Sequence, residues 1–234
     1  MAVLDILLAR HGQTEANAAG IIQGSKINPP LNQCGEIQAD ALAEAMKDEK
    51  LDWIVTSGLE RAIQTGNRVA KYHSDAPFVS DARLNEICWG EADGQKFSDI
   101  GSEMNSVVGK WKSGDFDARI KGGESANDGR KRILEAFADI LRVSRERDYR
   151  KIIVCIHGRI MRVIMATLVD KDLCKMQHFP HANGCYHQIR VDLGDGNADL
   201  DPSKLDFEPI RINVRDHLLN LKLSEHEPGF MCGL

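Results

Sequence analysis

Three kinds of segment that point to particular functions are missing from this sequence. No apolar run approaches the ~18 residues of a membrane-spanning helix, and no basic leader with a long apolar segment opens the chain. The six cysteines are scattered, without the close paired spacing of a zinc site or a redox motif. The net charge of −5 argues against a nucleic-acid-binding protein, because such proteins bind phosphates through Lys and Arg. We therefore expect a cytoplasmic protein with reduced thiols that binds neither membranes nor nucleic acid.

Short apolar runs, separated by segments with helical spacing, recur along the chain. Such runs predict buried strands, because a strand covered on both faces is apolar throughout. Such runs lie at residues 3–9, 51–55 and 151–156. A further short strand is expected at 78–80, and two more at 186–192 and 207–214, on either side of an acidic turn. Strands that alternate with helices predict an α/β fold of three layers, α/β/α, around a mainly parallel central sheet.

Length and composition favour one domain. The chain has 234 residues, of which 42% are hydrophobic and 28% charged, which is enough for a sizeable core without disulfides or metal ions. No linker-like change of composition, internal repeat or low-complexity tract interrupts it. We therefore expect a single domain over residues 1–220 and a C-terminal tail at residues 221–234.

Two of the predicted helices have patterns of their own. Residues 32–50 have the apolar spacing of an amphipathic helix. One row of that helix consists of Ile37, Ala41 and Ala45, and Leu42 and Met46 lie beside that row. After the strand at 51–55, Ser57 and Glu60 have the spacing of a capping box, which predicts that a helix begins there. Further helices are predicted at residues 97–112 and 124–147.

Two of the predicted strands end in the same pair of residues. The first stops at Arg10, His11 and Gly12, and the strand at 151–156 stops at His157 and Gly158. Open α/β sheets bind their ligands at the carboxyl ends of strands, and a glycine there lets the backbone turn and a ligand approach. A polar loop that happens to hold a histidine is the alternative for either pair alone. The repetition favours one shared site.

Arg61 lies in the first turn of the helix that follows residue 57. The helix macrodipole disfavours a positive charge at that end. A bound anion would explain the arginine, because free backbone N–H groups already point toward such a site. An exposed arginine on the helix surface, at a small cost in stability, is the alternative.

Five residues could together bind and transfer a phosphoryl group: Arg10, His11, Arg61, Glu86 and His157. Guanidinium groups match phosphate oxygens bidentately, a neutral imidazole is a nucleophile toward phosphorus, and a carboxylic acid can protonate a leaving alkoxide. The sequence has no Walker-type loop, no paired aspartates for magnesium and no Cys-x5-Arg motif. These residues favour phosphoryl transfer through a nucleophilic histidine.

Two clusters have some of the features of metal sites. An acidic turn has calcium-loop spacing in part, at Asp195, Asn197, Asp199 and Asp201. It lacks the glycine and the glutamate that complete such a loop. Three histidines surround Phe179-Pro180, namely His178, His181 and His187. They have no acidic or thiol partners in register, so we expect no metal site at either cluster.

Several motifs, in the same order along the chain, resemble those of the histidine phosphatase superfamily, which has the phosphoglycerate mutase-like fold. They are Arg10-His11-Gly12-Gln13-Thr14 with Asn17, the segment 56–65, Leu84-Asn85-Glu86 with Gly90 and Gly94, Gly122-Gly123-Glu124-Ser125, His157-Gly158, and Asn213 with His217-Leu218. The resemblance spans most of residues 4–218.

The resemblance implies a role for each matching residue. His11 resembles the nucleophile that becomes phosphohistidine, and Glu86 the acid that later activates water. Residues implied to hold the phosphoryl group or substrate are Arg10, Asn17, Gln23, Gly24, Arg61, Glu86, His157 and Gly158. The resemblance implies no metal ion and no other cofactor.

The most favoured function is a phosphatase acting on small phosphorylated metabolites. A 2,3-bisphosphoglycerate-dependent mutase is the alternative within the family. The resemblance implies a longer chain for such mutases, with an insertion between the loop of the acid and the long helix, and the short stretch from Gly94 to Gly122 lacks that insertion. A non-catalytic phospho-ligand-binding protein is a further alternative. Ala92, Asp93 and Arg159 depart from the family pattern, which leaves the substrate open. The partner expected is a small phosphorylated substrate, and a homodimer is compatible with the sequence.

Overall fold

A six-stranded sheet, in the order β3-β2-β4-β1-β5-β6, forms the centre of the molecule. The computed structural model describes residues 3–196, 199–219 and 221. The strands are β1 (Val3–Arg10), β2 (Trp53–Ser57), β3 (Phe78–Asp81), β4 (Lys151–Ile156), β5 (Tyr186–Asp192) and β6 (Phe207–Val214). The first four strands pair in parallel, and β5 and β6 add antiparallel pairs at one side. The predicted mainly parallel sheet is confirmed.

Helices cover both faces of this sheet. They are α1 (Glu15–Ala18), α2 (Gln33–Met46), α3 (Glu60–Ala70), α4 (Phe97–Lys112), α5 (Ala126–Glu146) and α6 (Gly158–Leu168). Side chains of a strand alternate between faces, so Leu4, Ile6 and Leu8 of β1 pack with α4, α5 and α6. Leu7 and Ala9 pack on the opposite face with α2 and α3. The predicted three-layer α/β/α architecture is therefore present.

The buried stripe of α2 differs from the predicted row. Leu42 and Met46 are buried as expected, but Ala45 is exposed and the stripe continues through Gln38. The Oε1 of Gln38 accepts a hydrogen bond from the backbone N of Gln13 at 2.8 Å. A polar residue thus occupies the buried face because it binds the turn after β1.

The predicted capping role of Ser57 is wrong, although α3 begins where expected. Leu59 is the residue before the helix, and it makes no side-chain capping bond. The Oγ of Ser57 instead pairs with Nε2 of His157 at 2.6 Å. Asn28, from the loop at 23–28, caps the helix by accepting from the backbone N of Glu60 at 2.7 Å.

The carboxyl ends of the parallel strands β1, β2 and β4 lie at one edge of the sheet. Because β5 runs antiparallel to β1, the loop before β5 returns to that same edge. The backbone N of Arg10 donates to the carbonyl of Cys185 at 2.9 Å, which fixes the loop there. The strand ends and this loop together enclose the candidate site.

The structure also bears on several other expectations. No disulfide joins the five cysteines in the described part of the chain. No helix among residues 3–196, 199–219 and 221 has the length and hydropathy of a membrane span.

In the acidic turn, Asp199 and Asp201 pair with Lys204, while Asn197 lies outside the described residues. The predicted tail, apart from Leu221, also lies outside them.

Candidate active site

His11 follows β1 and is buried, with 3% of its surface exposed. Its Nδ1 lies 2.6 Å from the carbonyl oxygen of Gly12. A carbonyl oxygen can only accept a hydrogen bond, so Nδ1 carries the proton and donates it. In the neutral ring the lone pair is then on Nε2. The turn after β1 thus selects the tautomer in which Nε2 is the nucleophilic atom.

His157 follows β4 and is fully buried. Its Nε2 pairs with the Oγ of Ser57 at the end of β2, at 2.6 Å. The rings of His11 and His157 lie together, with their centroids 5.1 Å apart and their planes tilted by 54°. The ends of two strands therefore bring both predicted imidazoles into one site.

Arg61 is fully buried rather than exposed on the surface of α3. Its Nη1 donates to the carbonyl of Ile27 at 3.2 Å and its Nη2 to that of Gly24 at 3.4 Å. Burial lowers the pKa of Arg61 to about 10, while the charge of Glu86 opposes that shift. The guanidinium therefore keeps its charge at neutral pH, and the loop at 23–28 lies across it. The alternative of an exposed arginine is wrong.

Arg10 is the last residue of β1, and its Nη1 donates to the carbonyl of His181 at 2.6 Å. Asn183, from the same loop, donates from Nδ2 to the carbonyl of His11 and to Oδ1 of Asn17, both at 3.2 Å. Gly158 packs so tightly against this loop that a Cβ atom on it would lie 2.4 Å from Cδ2 of His181. The loop before β5 therefore positions the residues on both histidine-bearing turns.

Glu86 places its carboxylate at the N-terminus of α6. Its Oε1 accepts from the backbone N of Ile87 at 2.9 Å and of Ile160 at 2.8 Å, and its Oε2 from the N of Arg159 at 2.8 Å. His157 precedes the helix without making a side-chain capping bond. Glu86 therefore caps α6 from a distant part of the chain, where the helix dipole favours a negative charge.

Asn17 and Gln23, which are also predicted to bind substrate, are linked through Thr14. The Oγ1 of Thr14 donates to Oε1 of Gln23 at 2.8 Å, and the backbone N of Thr14 donates to Oδ1 of Asn17 at 3.2 Å. The Nε2 of Gln23 is buried and has no partner in the part of the chain that the structure describes. The predicted residues thus come together at one edge of the sheet. They lie on the turn after β1, on α3, on the loop at 84–94 and on the turn after β4.

The electrostatics of the site keep both imidazoles uncharged. Burial holds the pKa of His11 well below its usual range, and the charges of Arg61 and Arg10 lower it further. Burial, followed by the charge of Arg61, lowers the pKa of His157 as well. The positive charge that acts on His11 therefore comes from the guanidinium groups of Arg10 and Arg61, and His11 stays in the form that can attack an electrophile.

Comparison with known proteins identifies the group to which this arrangement belongs. Residues 6–200 match the sequence profile of the histidine phosphatase superfamily, branch 1. The chain belongs to the histidine phosphatase superfamily.

Relatives in this superfamily cover most of the chain. An adenosylcobalamin/alpha-ribazole phosphatase of Salmonella typhimurium is 28% identical over 193 residues, which make up 82% of this chain and 92% of the relative. A metal-independent phosphoserine phosphatase of Arabidopsis thaliana is 32% identical over 164 residues, or 69% of this chain and 67% of the relative. Probable phosphoglycerate mutases are also among the similar proteins.

Solved structures agree with the fold. A mycobacterial glucosyl-3-phosphoglycerate phosphatase superposes with a TM-score of 0.77, over 90% of this chain and 99% of that one, at 22% identity. Phosphoglycerate mutase from Bacillus anthracis superposes with a TM-score of 0.76. The phosphoglycerate mutase-like fold predicted from the motifs is confirmed.

Two of the residues that depart from the pattern of this superfamily have clear contacts. Asp93 accepts hydrogen bonds from the backbone N of Gly24 at 2.6 Å, of Trp89 at 3.3 Å and of Lys26 at 3.4 Å. Burial raises the pKa of Asp93. Arg159 lies with its Cζ 5.8 Å from the centroid of the Trp89 ring. Ala92 is fully buried in the core beneath this loop.

Several residues that build the site were not predicted for that role from the sequence. Arg132 of α5 donates to the carbonyls of three residues around the predicted acid, namely Arg83, Asn85 and Glu86. Arg132 also pairs with Glu124 at 2.9 Å, and the backbone N of Cys88 donates to Glu124 at 2.8 Å. Glu124 belongs to the Gly-Gly-Glu-Ser motif, which resembles only the start of a long helix, and nothing in the helical spacing of α5 distinguishes Arg132.

No group of three or more His, Cys, Asp or Glu side chains within the described ranges has an arrangement that could hold a metal ion. His181 and His187 instead interact with neighbouring protein groups. Gly158 packs against the ring of His181, and Nδ1 of His187 accepts from the backbone N of Asn213 at 3.2 Å.

Proposed function

We propose that this protein is a phosphatase that hydrolyses phosphate monoesters of small metabolites through a phosphohistidine on His11. The observation that carries the proposal is the state of His11. The carbonyl of Gly12 holds its proton on Nδ1, burial and two arginines keep the ring neutral, and Nε2 retains its lone pair. A neutral imidazole with a fixed tautomer beside Arg10 and Arg61 is suited to attack a phosphoryl group.

In the first step, Arg10, Arg61 and His157 hold the oxygens of the phosphoryl group. Nε2 of His11 forms a bond to phosphorus while the ester P–O bond breaks. The leaving alkoxide takes a proton from the carboxylic acid form of Glu86 and departs as an alcohol. Preorganised cations stabilise the charge on the phosphoryl oxygens, and we expect their combined contribution to be on the order of several kcal/mol.

In the second step, Glu86 acts as a base. Its carboxylate takes a proton from a water molecule, whose oxygen attacks phosphorus as the bond to Nε2 breaks. Inorganic phosphate leaves, His11 returns to the neutral ring, and Glu86 is again an acid. We propose that Asn17, Gln23, Gly24 and Gly158 line the substrate side of this reaction, and that no metal ion or cofactor takes part.

The names of the relatives support the hydrolase over the mutase. An alpha-ribazole phosphatase and a glucosyl-3-phosphoglycerate phosphatase match 82% and 86% of this chain, whereas two probable phosphoglycerate mutases match 54% and 71% of it. Between Gly94 and Gly122 the chain forms one helix, α4, with a short loop on each side, so there is little room for a mutase-type insertion. Substrates of the relatives vary in size, so we propose only a small phosphorylated metabolite.

Phosphate release from a panel of phosphate monoesters, with wild type and His11→Ala, tests the proposal. We expect release with wild type, a loss of at least about 1,000-fold in His11→Ala, no effect of EDTA, and an acid-labile phosphorylated His11 on rapid quenching. Interconversion of phosphoglycerates only after priming with 2,3-bisphosphoglycerate would establish a mutase instead. Tight phosphate-ester binding without turnover would establish a binding protein.

A further inference from the structure

Arg159 has an unusual environment for a largely enclosed arginine. It is the second residue of α6, directly after His157 and Gly158, and its backbone N donates to Oε2 of Glu86. Its guanidinium lies over the face of Trp89. Its Nη1 is buried and has no hydrogen-bond partner among the residues that the structure describes. Buried charged groups are normally hydrogen-bonded, so an unpaired buried guanidinium nitrogen calls for an explanation.

Arg162, three residues further along α6, provides an internal comparison. Its Nε donates to the carbonyl of Phe179 at 2.9 Å and its Nη1 to Oε1 of Gln177 at 2.6 Å. Those bonds account for Arg162 as a structural arginine that holds residues 177–179. Arg159 makes no such side-chain bond to a carbonyl or amide oxygen of the described chain, although it comes from the same helix.

Other arginines add to the positive charge around Arg159. Arg10, Arg159 and Arg162 all act on His181, and together with burial they lower the pKa of that ring. Glu86 is the carboxylate facing this cluster, and its two oxygens already accept three backbone N–H groups of α6 and its own loop. Among the described side chains, Arg159 therefore shares the carboxylate of Glu86 with Arg162 and with three backbone N–H groups.

We propose that Arg159 forms a second anion subsite, which binds a carboxylate or a second phosphate of the substrate while its first phosphate lies at His11. The proposal rests on the function proposed above and narrows its substrate class to metabolites with two anionic groups. The guanidinium fork matches a carboxylate or phosphate bidentately. Its place between Trp89 and the N-terminus of α6 puts it beside Glu86, on the leaving-group side of the reaction.

Two matched substrate pairs test this subsite. 3-Phosphoglycerate and glycerol 1-phosphate differ by a carboxylate in place of a hydroxymethyl group, and fructose 1,6-bisphosphate and fructose 6-phosphate differ by a second phosphate. We expect wild type to have the higher kcat/KM for the doubly anionic member of at least one pair. The pair that shows the preference identifies which anion the subsite takes.

Variants then connect the preference to Arg159. We expect Arg159→Gln to lower the kcat/KM ratio of the preferred pair by about 10- to 100-fold, and Arg159→Lys to lower it less, because the charge remains. Arg142→Gln, which removes an exposed arginine of α5, should leave the ratio unchanged. If Arg159→Gln does not fold, Arg159→Lys must still lower the ratio. Equal ratios in wild type and the Arg159 variants for both pairs would overturn the subsite.

Calorimetric binding to His11→Ala separates this inference from the phosphatase proposal. The double variant His11→Ala/Arg159→Gln should lose the binding preference for 3-phosphoglycerate or fructose 1,6-bisphosphate that His11→Ala shows. A preserved binding preference with no turnover by wild type would contradict the phosphatase while supporting the subsite. Turnover by wild type, with equal binding of both members of each pair to His11→Ala, would contradict the subsite alone.

Discussion

At the scale of single residues, the turn that carries His11 depends on two glycines that face each other. A Cβ atom on Gly12 would lie 2.2 Å from the carbonyl oxygen of Gly35, and a Cβ on Gly35 would lie 1.9 Å from that of Gln13. Both obstacles are backbone atoms, which cannot rotate away as a side chain can. The close approach brings the start of α2 against the turn after β1.

Gly12→Ala should therefore destabilise the protein. We expect the free energy of unfolding in urea to fall by at least about 2 kcal/mol, because the backbone of α2 or of the turn must shift. Gly109→Ala is the matched control, since a Cβ there meets nothing within 4 Å inside α4. That change should be neutral or stabilising by up to about 1 kcal/mol. Equal losses in both variants would contradict the close approach.

Glu86→Gln tests the proposed acid. The amide keeps the size of the side chain but cannot deliver a proton, so turnover of alkyl phosphates should fall about 100- to 1,000-fold. Aryl phosphates with good leaving groups need no such proton and should slow by less than about tenfold. Steady-state kinetics on both substrate types, together with the melting temperature, check this. Equal slowing of both types would remove the acid role.

At the scale of elements, Asp93 joins two loops of the site. Its carboxylate accepts from the backbone of Gly24 and Lys26 in one loop and of Trp89 in the other. The carbonyls of Gly24 and Ile27 in turn accept from Arg61. The position of the loop at 23–28 therefore depends on a residue nearly 70 positions further along the chain.

Asp93→Asn should loosen that loop. One oxygen becomes an NH2 group that faces backbone donors, so we expect KM for phosphate esters to rise about tenfold and stability to fall by about 1–3 kcal/mol. Glu91→Gln serves as the control, because Glu91 is exposed and pairs with Lys121 on the surface. Unchanged KM in Asp93→Asn would show that the loop does not bear on binding.

The difference between local patterns and contacts among distant elements explains how much could be predicted from the sequence. The sequence predicted all six strands to within a few residues. The signal is clearest for β1, β2 and β4, because a strand buried on both faces is apolar throughout. Burial does not explain the signal at β3 and β6, which are largely exposed. The ends of two strands also predicted His11 and His157. The cap of α3 could not be predicted, because Ser57 binds a residue 100 positions away and Asn28 takes its place at that helix. Likewise, Arg132 and Asn183 act through contacts that no local pattern encodes.

At the scale of the whole molecule, several buried histidines remain uncharged in the folded state. Burial lowers the pKa of His11, His157 and His181, and it lowers the pKa of His187 to about 4. In the unfolded chain each of them binds a proton near pH 6.5. The unfolded state therefore takes up more protons below that pH, and stability falls as the pH falls.

Urea unfolding at pH 7, 6 and 5 should reveal this loss. Each buried histidine contributes a slope of up to about 1.4 kcal/mol per pH unit below pH 6.5, which for His187 continues to about pH 4. The asparagine of His187→Asn can accept from the backbone N of Asn213 through Oδ1, in place of Nδ1 of the histidine. We therefore expect this variant to lose the contribution of one histidine to the pH dependence of stability. A stability that does not change between pH 7 and pH 5 would contradict neutral histidines in the fold.

The position of β1 in the sheet also affects how the chain folds as it is synthesised. β1 is made first, yet both of its neighbours, β4 and β5, come from the last third of the described chain. At about 5–20 residues per second, a ribosome needs on the order of ten seconds to reach β4. During that time an apolar strand has no partner, and His11 has no site. We expect completion of the sheet, rather than formation of the early helices, to limit folding.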